Sequence, residues 1–222
     1  MNLSDREILP STFVERQNDK LKVQLHKEIN GMTIFLSQGQ QVSLDSFSPH
    51  LSVIFVGLGW DITPHDTGYD FDLDAAAFLL GDDNKLLSKE HLVFFNNPIS
   101  PDPNQSVQHL GDNLTGSGDG DDEVILIKLN QVPDAVKKIL ITVNIYEGDK
   151  RRQNFGQIQN AFVRLVNMTT KEEVIHYNLV KHEADATSLI VSALIRHNHD
   201  WDIRAIGWGF EGSFMDLFDR YS

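Results

Sequence analysis

The sequence predicts an all-β protein, a β-sandwich with one short C-terminal helix and few other helical turns. Short runs of β-branched and aromatic residues recur along most of the chain, and turn residues separate them. Helical spacing of apolar residues is clear only near the C-terminus. The chain has 222 residues, of which 41% are hydrophobic, so a sizeable core is possible. Many short strands at this spacing are typical of a sandwich.

The strands follow one another from Leu21, where Leu21, Val23 and Leu25 alternate with polar residues. Further strands are predicted at 33–36, 51–57, 71–80, 92–95, 106–110, 124–129, 139–146, 161–166, 174–179, 189–196 and 201–210. Turn residues occur between them at Gly39, 64–68, 82–84, 98–104 and 197–200. We divide the chain into an N-terminal extension, residues 1–30, and one domain, residues 31–222.

Helical patterns are confined to two places. Residues 133–138 predict a single turn, and residues 213–221 predict a helix. In the second segment apolar side chains repeat at i, i+3, i+4 and i+7, at Phe214, Leu217, Phe218 and Tyr221. Ser213 and Asp216 have the spacing of an N-terminal capping box.

The negative charge of the chain is concentrated in two segments. The net charge is −13, and residues 61–83 and 102–123 together hold 13 of the 32 acidic residues but no Lys or Arg. The rest of the chain, with 19 acidic and 19 basic residues, is neutral. Clustered carboxylates repel one another, and a bound cation is the simplest way to offset that repulsion. Direct nucleic-acid binding is not expected, because it needs a basic surface.

Composition excludes several other classes. There is no cysteine, so disulfides, thiolate metal sites and cysteine nucleophiles are absent. The longest apolar runs, such as residues 75–80, are far shorter than the roughly 20 residues that span a bilayer. No signal peptide is visible at the polar N-terminus, so we expect a cytoplasmic protein that does not span a membrane. No nucleophile elbow or phosphate loop occurs, and we assign neither catalytic nor organic-cofactor residues.

The first acidic segment alternates carboxylates with apolar residues. On a strand, Asp70, Asp72 and Asp74 project to one face, and Phe71 and Leu73 project to the core. Residues two apart on a strand are separated by about 6.6 Å, and residues four apart by about 13 Å. Two adjacent carboxylates can converge on one ion, whereas three on a straight strand cannot. Either the strand bends or the triplet serves two ions, and we favour two ions.

The second acidic segment is a glycine-rich loop at residues 111–123. Glycines at 116, 118 and 120 allow the backbone to wrap around an ion, with carboxylates, an amide and carbonyls as donors. Calcium takes 6–8 such oxygen ligands. Zinc is disfavoured without cysteine or a suitable histidine set, and magnesium stays possible. For either segment alone, a solvated turn is an equally good interpretation.

At these residues the sequence resembles the TerD family of tellurium-resistance and stress-response proteins. The resemblance spans about residues 31–222 and leaves the extension outside. Its motifs are VGLGWD at 56–61, DFDLDA at 70–75, FNN at 95–97, GDNLTG at 111–116, DGDDE at 119–123, RQNFGQ at 152–157, NAF at 160–162 and RAIG at 204–207. The resemblance implies a calcium-binding β-sandwich with two ion sites in a bacterial stress-response setting.

The predicted calcium ligands come from both segments and from the strand end at Asn96. Asn96 matches the asparagine pair of the family, although a simple turn before Pro98 explains it equally well. The full predicted set is Asp70, Asp72, Asp74, Asn96, Asp112, Asn113, Gly116, Asp119, Asp121, Asp122 and Glu123.

Two classes of function are compatible with this set. The first is a calcium-responsive binding or scaffold module with a protein partner. The second is a metal-dependent hydrolase or nucleotide-binding protein that uses the same ions. No isolated general base lies near the cluster, so we favour the module and expect no enzyme. The basic run at 150–152 is interpreted as a solvated loop, with contact to a phosphate or an acidic partner as the alternative.

Overall fold

Two β-sheets form the protein. The computed structural model describes residues 24–28, 31–48, 50–61, 69–111, 121–179 and 185–222. Within these residues, thirteen strands form a seven-stranded and a six-stranded sheet. One large cluster of buried apolar side chains fills the space between the sheets. This arrangement confirms the predicted β-sandwich.

The strands are β1 (Gln24–Glu28), β2 (Gly31–Phe35), β3 (Gln41–Ser43), β4 (Val53–Asp61), β5 (Leu73–Leu80), β6 (Leu92–Val93), β7 (Val107–His109), β8 (Glu123–Lys128), β9 (Lys138–Ile145), β10 (Gln159–Asn167), β11 (Glu173–Asn178), β12 (Ser188–His197) and β13 (Asp200–Phe210). The helices are α1 (Leu44–Phe47), α2 (Gly148–Arg151) and α3 (Phe214–Tyr221).

The strand order is β1-β2-β11-β10-β4-β8-β7 in the larger sheet and β3-β13-β12-β9-β5-β6 in the smaller one. Among the described strand pairs, β2 and β11 are parallel and the others are antiparallel. The predicted boundary after residue 30 falls inside the connection from β1 to β2, and β1 pairs along its whole length with β2. The predicted strand start at Leu21 lies outside the described residues.

The two sheets differ in how their outer faces are covered. Every residue of β5 is buried, because its second face packs under α3. In the larger sheet, β8 alternates buried and half-buried residues along its length. That alternation is expected of a strand with one face in the core and one face towards solvent.

The C-terminal helix α3 confirms the prediction for residues 213–221. The Ser213 side chain accepts from the Asp216 backbone, and the Asp216 side chain reaches back to the backbone of Ser213. Leu217 and Tyr221 are buried against Phe78 of β5. Burial raises the pKa of Tyr221 to about 12. No helix among the described residues is long and apolar enough to cross a membrane.

Several elements differ from the prediction. Of the predicted helical segment 133–138, residues 133–136 form a turn, closed by a bond from the Val136 amide to the Pro133 carbonyl, and Lys138 begins β9. The predicted strand 92–95 is shortened to β6, because a tight turn pairs Phe94 with Asn97. Strand β3 and the single-turn helices α1 and α2 have no periodic pattern that predicts them, because each is too short.

Candidate metal centre

A buried hydrogen bond joins the two acidic segments at one end of the sandwich. Glu123, the first residue of β8, is 1% exposed. Its carboxylate oxygen Oε2 accepts from the Ala75 amide of β5 at 2.5 Å, across the space between the two sheets. Ala75 directly follows the triplet Asp70–Asp74, and Glu123 ends the second segment. The end of the second segment therefore contacts the residue that follows the first.

A buried histidine, not predicted as part of the site, lies beside this bond. The Nε2 atom of His109, at the end of β7, is 3.5 Å from the Glu123 Oε2 atom. His109 is 7% exposed. The sequence contained an indication of this placement, because His109 is two residues after the apolar Val107 and so shares its inward face.

Only Asp74 of the aspartate triplet lies within a strand. Phe71 and Leu73 lie in the core between the sheets, as predicted. However, β5 begins only at Leu73, so Asp70 and Asp72 precede the strand. Asp70 is exposed, whereas Asp72 and Asp74 are each 7% exposed. The three carboxylates therefore differ in their access to water.

The main chain of this segment is held by a glutamine that we did not predict. Gln153 is 2% exposed, and its Nε2 atom donates to the carbonyls of Tyr69 at 3.0 Å and Asp70 at 3.2 Å. The Tyr146 amide donates to the Asp72 carbonyl at 2.8 Å. Gln153 belongs to the motif at 152–157, which therefore positions the triplet from a distant part of the chain.

Asp74 belongs to a row of buried polar residues that crosses three strands. Its Cα is in register with Asn144 of β9, which is in register with Ser188 of β12. The Ser188 hydroxyl donates to the Asn144 side-chain oxygen at 2.7 Å and lies 2.8 Å from the Gly212 carbonyl. This row fixes the face of the six-stranded sheet on which Asp74 lies.

In the second segment, Asp121 forms a two-point ion pair with Arg164 of β10. The Arg164 Nε and Nη2 atoms donate to the two carboxylate oxygens at 2.8 and 2.9 Å. This pairing raises the pKa of Arg164. A side chain at Gly57 of β4 would collide with the Asp121 carboxylate, so the glycine is required for this approach.

Asp122 and Glu123 also contact protein groups. The Asp122 Oδ2 atom accepts from the Trp60 amide at 3.0 Å, and the Asp122 amide donates to the Leu58 carbonyl at 2.7 Å. Asp122 thereby continues the pairing of β4 with β8. The assignment of Asp121, Asp122 and Glu123 as metal ligands stays a prediction beside these contacts.

The remaining predicted ligands belong to the glycine-rich segment and to the turn that follows β6. Asp112, Asn113, Gly116 and Asp119 lie outside the described residues. Asn96 is exposed in the turn that follows β6. The adjacent Asn97 donates through its side chain to the Leu92 and Glu90 carbonyls at 2.6 and 3.1 Å, so it stabilises that turn.

The described residues do not by themselves form a complete metal site. Within the ranges given above, no three His, Asp or Glu side chains are grouped so that they could hold an ion. The donors that are present are hard oxygen atoms, which suits calcium or magnesium. A full shell would therefore need ligands from residues 112–120 as well.

Comparisons with known proteins agree on one family. The model of the TerD domain matches residues 32–221, a range that excludes β1. The chain is 44% identical over 190 residues to General stress protein 16U of Bacillus subtilis (strain 168), covering 86% of this chain and 97% of that protein. The same identity and coverage hold for Tellurium resistance protein TerD of Serratia marcescens.

A solved structure supports the same conclusion at the level of the fold. The crystal structure of a homologue of telluride resistance protein (TerD) from Streptomyces coelicolor A3(2) superposes with a TM-score of 0.62 and 20% identity. The superposition covers 75% of this chain and 95% of that one. The chain belongs to the TerD domain family, among the tellurium-resistance and stress-response proteins.

Proposed function

We propose that this chain is a cytoplasmic calcium-binding module that holds two calcium ions where its two acidic segments meet. The observation that carries the proposal is the buried bond from Glu123 to the Ala75 amide. It ties the segment that supplies Asp70, Asp72 and Asp74 to the end of the glycine-rich segment. The other ligands come from Asp112, Asn113, Gly116, Asp119, Asp121 and Asp122, with Asn96 at the neighbouring turn.

Electrostatics supports a bound cation. Glu123 of the second segment contacts the Ala75 amide at the end of the first, and two carboxylates of the first segment, Asp72 and Asp74, are mostly withdrawn from water. Carboxylates that are clustered and desolvated strongly favour a divalent counterion. The Nη1 atom of Arg151 is 4.0 Å from the Asp72 Oδ2 atom.

Calcium binding would make the module responsive, because a ligand bound only by the folded state adds stability. That gain is about 2.7 kcal/mol at a hundredfold excess over the dissociation constant. We propose that the ordered state recognises a protein partner. The outer face of the larger sheet supports this, because it is open and has a cleft of about 580 Å³. The cleft is lined by Thr33, Phe35, Phe55, Arg164, Val166, Lys171, Glu173 and His176.

Isothermal titration of the metal-free protein with calcium tests the proposal. We expect a dissociation constant of roughly micromolar or tighter, the range of cytosolic calcium sensors. Asp72→Asn should weaken binding at least about tenfold, since it removes a charged ligand. Asp83→Asn is the matched control, because Asp83 is exposed in a turn, where it accepts from the Lys85 amide.

Thermal unfolding provides an independent measurement. Chelation should lower the melting temperature, calcium should restore it, and magnesium should restore it less, because magnesium dehydrates reluctantly. Equal melting temperatures in chelator and in millimolar calcium, together with no heat of binding, would refute calcium binding.

A further inference from the structure

Arg151 has a setting that its place in a basic run does not predict. Its guanidinium carbon lies 5.5 Å from the ring centroid of Tyr69 and 4.9 Å from that of Tyr146. Tyr69 and Tyr146 are 61% and 41% exposed, but the Arg151 side chain is only 19% exposed. The interpretation of 150–152 as a solvated loop is therefore wrong for Arg151. The aromatic contacts hold the guanidinium in place.

The Arg151 guanidinium has hydrogen-bond donors that the described residues do not use. Within the part of the chain that the structure describes, it donates no hydrogen bond. The nearest carboxylate oxygen, Asp72 Oδ2, is 4.0 Å from Nη1, which is beyond hydrogen-bond length. A planar fork of donors that is preformed and largely buried matches the oxygens of a phosphate or carboxylate.

The frame around Arg151 is the same one that positions the aspartates. The Arg151 amide donates to the Glu147 carbonyl at 2.9 Å, and the Gln153 amide donates to the Gly148 carbonyl at 2.8 Å. Gln153 in turn holds the carbonyls of Tyr69 and Asp70. The guanidinium and the acidic triplet are thus parts of one rigid arrangement.

We propose that Arg151, with Tyr69 and Tyr146, binds a phosphate monoester group whose remaining oxygen completes the shell of a calcium ion held by Asp70 and Asp72. The proposal rests on the calcium binding proposed above. A dication at Asp72 would lie close to the Arg151 charge, and an anion between them removes that repulsion. A phosphate monoester has nearly two negative charges at neutral pH and three oxygens, enough for the arginine fork and one metal bond. The exposed tyrosine rings can stack against the rest of the ligand.

The test uses the full chain and phenyl phosphate, a monoester with an aromatic ring. Calorimetric titrations are made in calcium and in chelator, after the calcium affinity itself has been measured. We expect binding in calcium and at least about tenfold weaker binding in chelator. Arg151→Gln should weaken phenyl phosphate binding at least about tenfold while calcium affinity is kept, and Arg151→Lys should not restore it, because lysine lacks the fork.

Lys150→Gln is the control variant, since it removes the same charge from an exposed neighbour that pairs with Glu147 at 2.6 Å. It should bind phenyl phosphate as the unmodified chain does. Equal losses in Lys150→Gln and Arg151→Gln would indicate a diffuse charge effect and overturn the proposal. Folding of each variant is checked by its thermal unfolding, and Arg151→Lys preserves the charge if Arg151→Gln is unstable.

A second arm distinguishes a free phosphate ester from a lipid headgroup. Cosedimentation is measured with phosphatidylcholine vesicles, with and without phosphatidic acid, in calcium. Binding only to vesicles with phosphatidic acid, lost in Arg151→Gln, supports a lipid source for the same group. Binding to neither probe overturns the proposal. If calcium itself does not bind, the proposed function fails. In that case, phenyl phosphate binding in chelator that is lost in Arg151→Gln would still support the anion site. If phenyl phosphate does not bind in chelator either, the anion site is overturned as well.

Discussion

The two acidic segments are held in opposite ways. At residues 121–123 the carboxylates themselves connect strands, through Arg164, the Trp60 amide and the Ala75 amide. At residues 69–72 the connections run through the main chain, whose carbonyls accept from Gln153 and from the Tyr146 amide. Segments with similar composition therefore contribute differently: the carboxylates of one build the fold, and the main chain of the other is fixed by the fold.

This difference shows that acidic composition does not define a ligand set. A carboxylate that organises buried amides changes folding stability when it is removed, even without metal. A carboxylate that only binds a cation changes stability through that cation. The free energy of unfolding measured in chelator separates the two cases.

The largest effect in chelator is expected for Glu123→Ala. This change leaves the buried Ala75 amide without its acceptor and should lower the free energy of unfolding by about 2–3 kcal/mol. Asp70→Asn, on an exposed side chain of the other segment, should change it by less than about 0.5 kcal/mol. Urea unfolding in chelator provides both values. Equal effects would remove the contrast between the segments.

An intermediate effect is expected for the pair Asp121 and Arg164. Both side chains are partly buried, at 8% and 30% exposure, and they share two hydrogen bonds. A double-mutant cycle with Asp121→Asn and Arg164→Gln should give a coupling energy of about 1–2 kcal/mol. Glu172→Gln, an exposed change in the turn before β11, serves as the control. A coupling energy near zero would mean that Asp121 does not organise the fold.

The smallest effect is expected at Glu173 and His176, which extend the Arg164 network. The Glu173 hydrogen bond raises the pKa of His176 above 6.5. Burial opposes ionisation of Glu173, but its hydrogen bonds with His176 and Arg164 outweigh burial and lower its pKa below 4.5. The stability that His176 contributes is fully present at pH values below 6.5, and it is lost as the pH rises through the pKa of His176 in the folded protein. The stability that Glu173 contributes is fully present at pH values above 4.5, and it is lost as the pH falls through the pKa of Glu173 in the folded protein.

Glu173 and His176 therefore contribute most to folding stability between pH 4.5 and pH 6.5. His176→Phe should preserve the contacts with Phe35 and Phe162 but remove about 0.5 kcal/mol of stability near pH 5.5, with the loss shrinking above neutral pH. Urea unfolding of both proteins at pH 5.5 and above neutral pH measures this loss. A loss that grows towards alkaline pH would contradict the sign of the His176 shift.

Much of the fold could be predicted because burial is encoded locally. The alternation at Phe71 and Leu73 and the capping box at Ser213 are readable over a few residues, and both are confirmed. The concentration of negative charge in two segments was also predictable, since it is a property of composition. At residues 133–138 the sequence predicted one turn but not that it is non-helical and ends before Lys138, because a short segment without periodicity does not distinguish a turn from a helix.

The sequence by itself determined the sandwich, the C-terminal helix and the concentration of negative charge. Only the tertiary structure decided which partner each carboxylate takes. Glu123 reaches an amide 48 positions away, and Asp121 pairs with an arginine 43 positions away. The burial of Arg151 between two tyrosines likewise needs segments that are distant in sequence. Such contacts depend on strand order and register across two sheets, and neither is encoded in a local pattern of side chains.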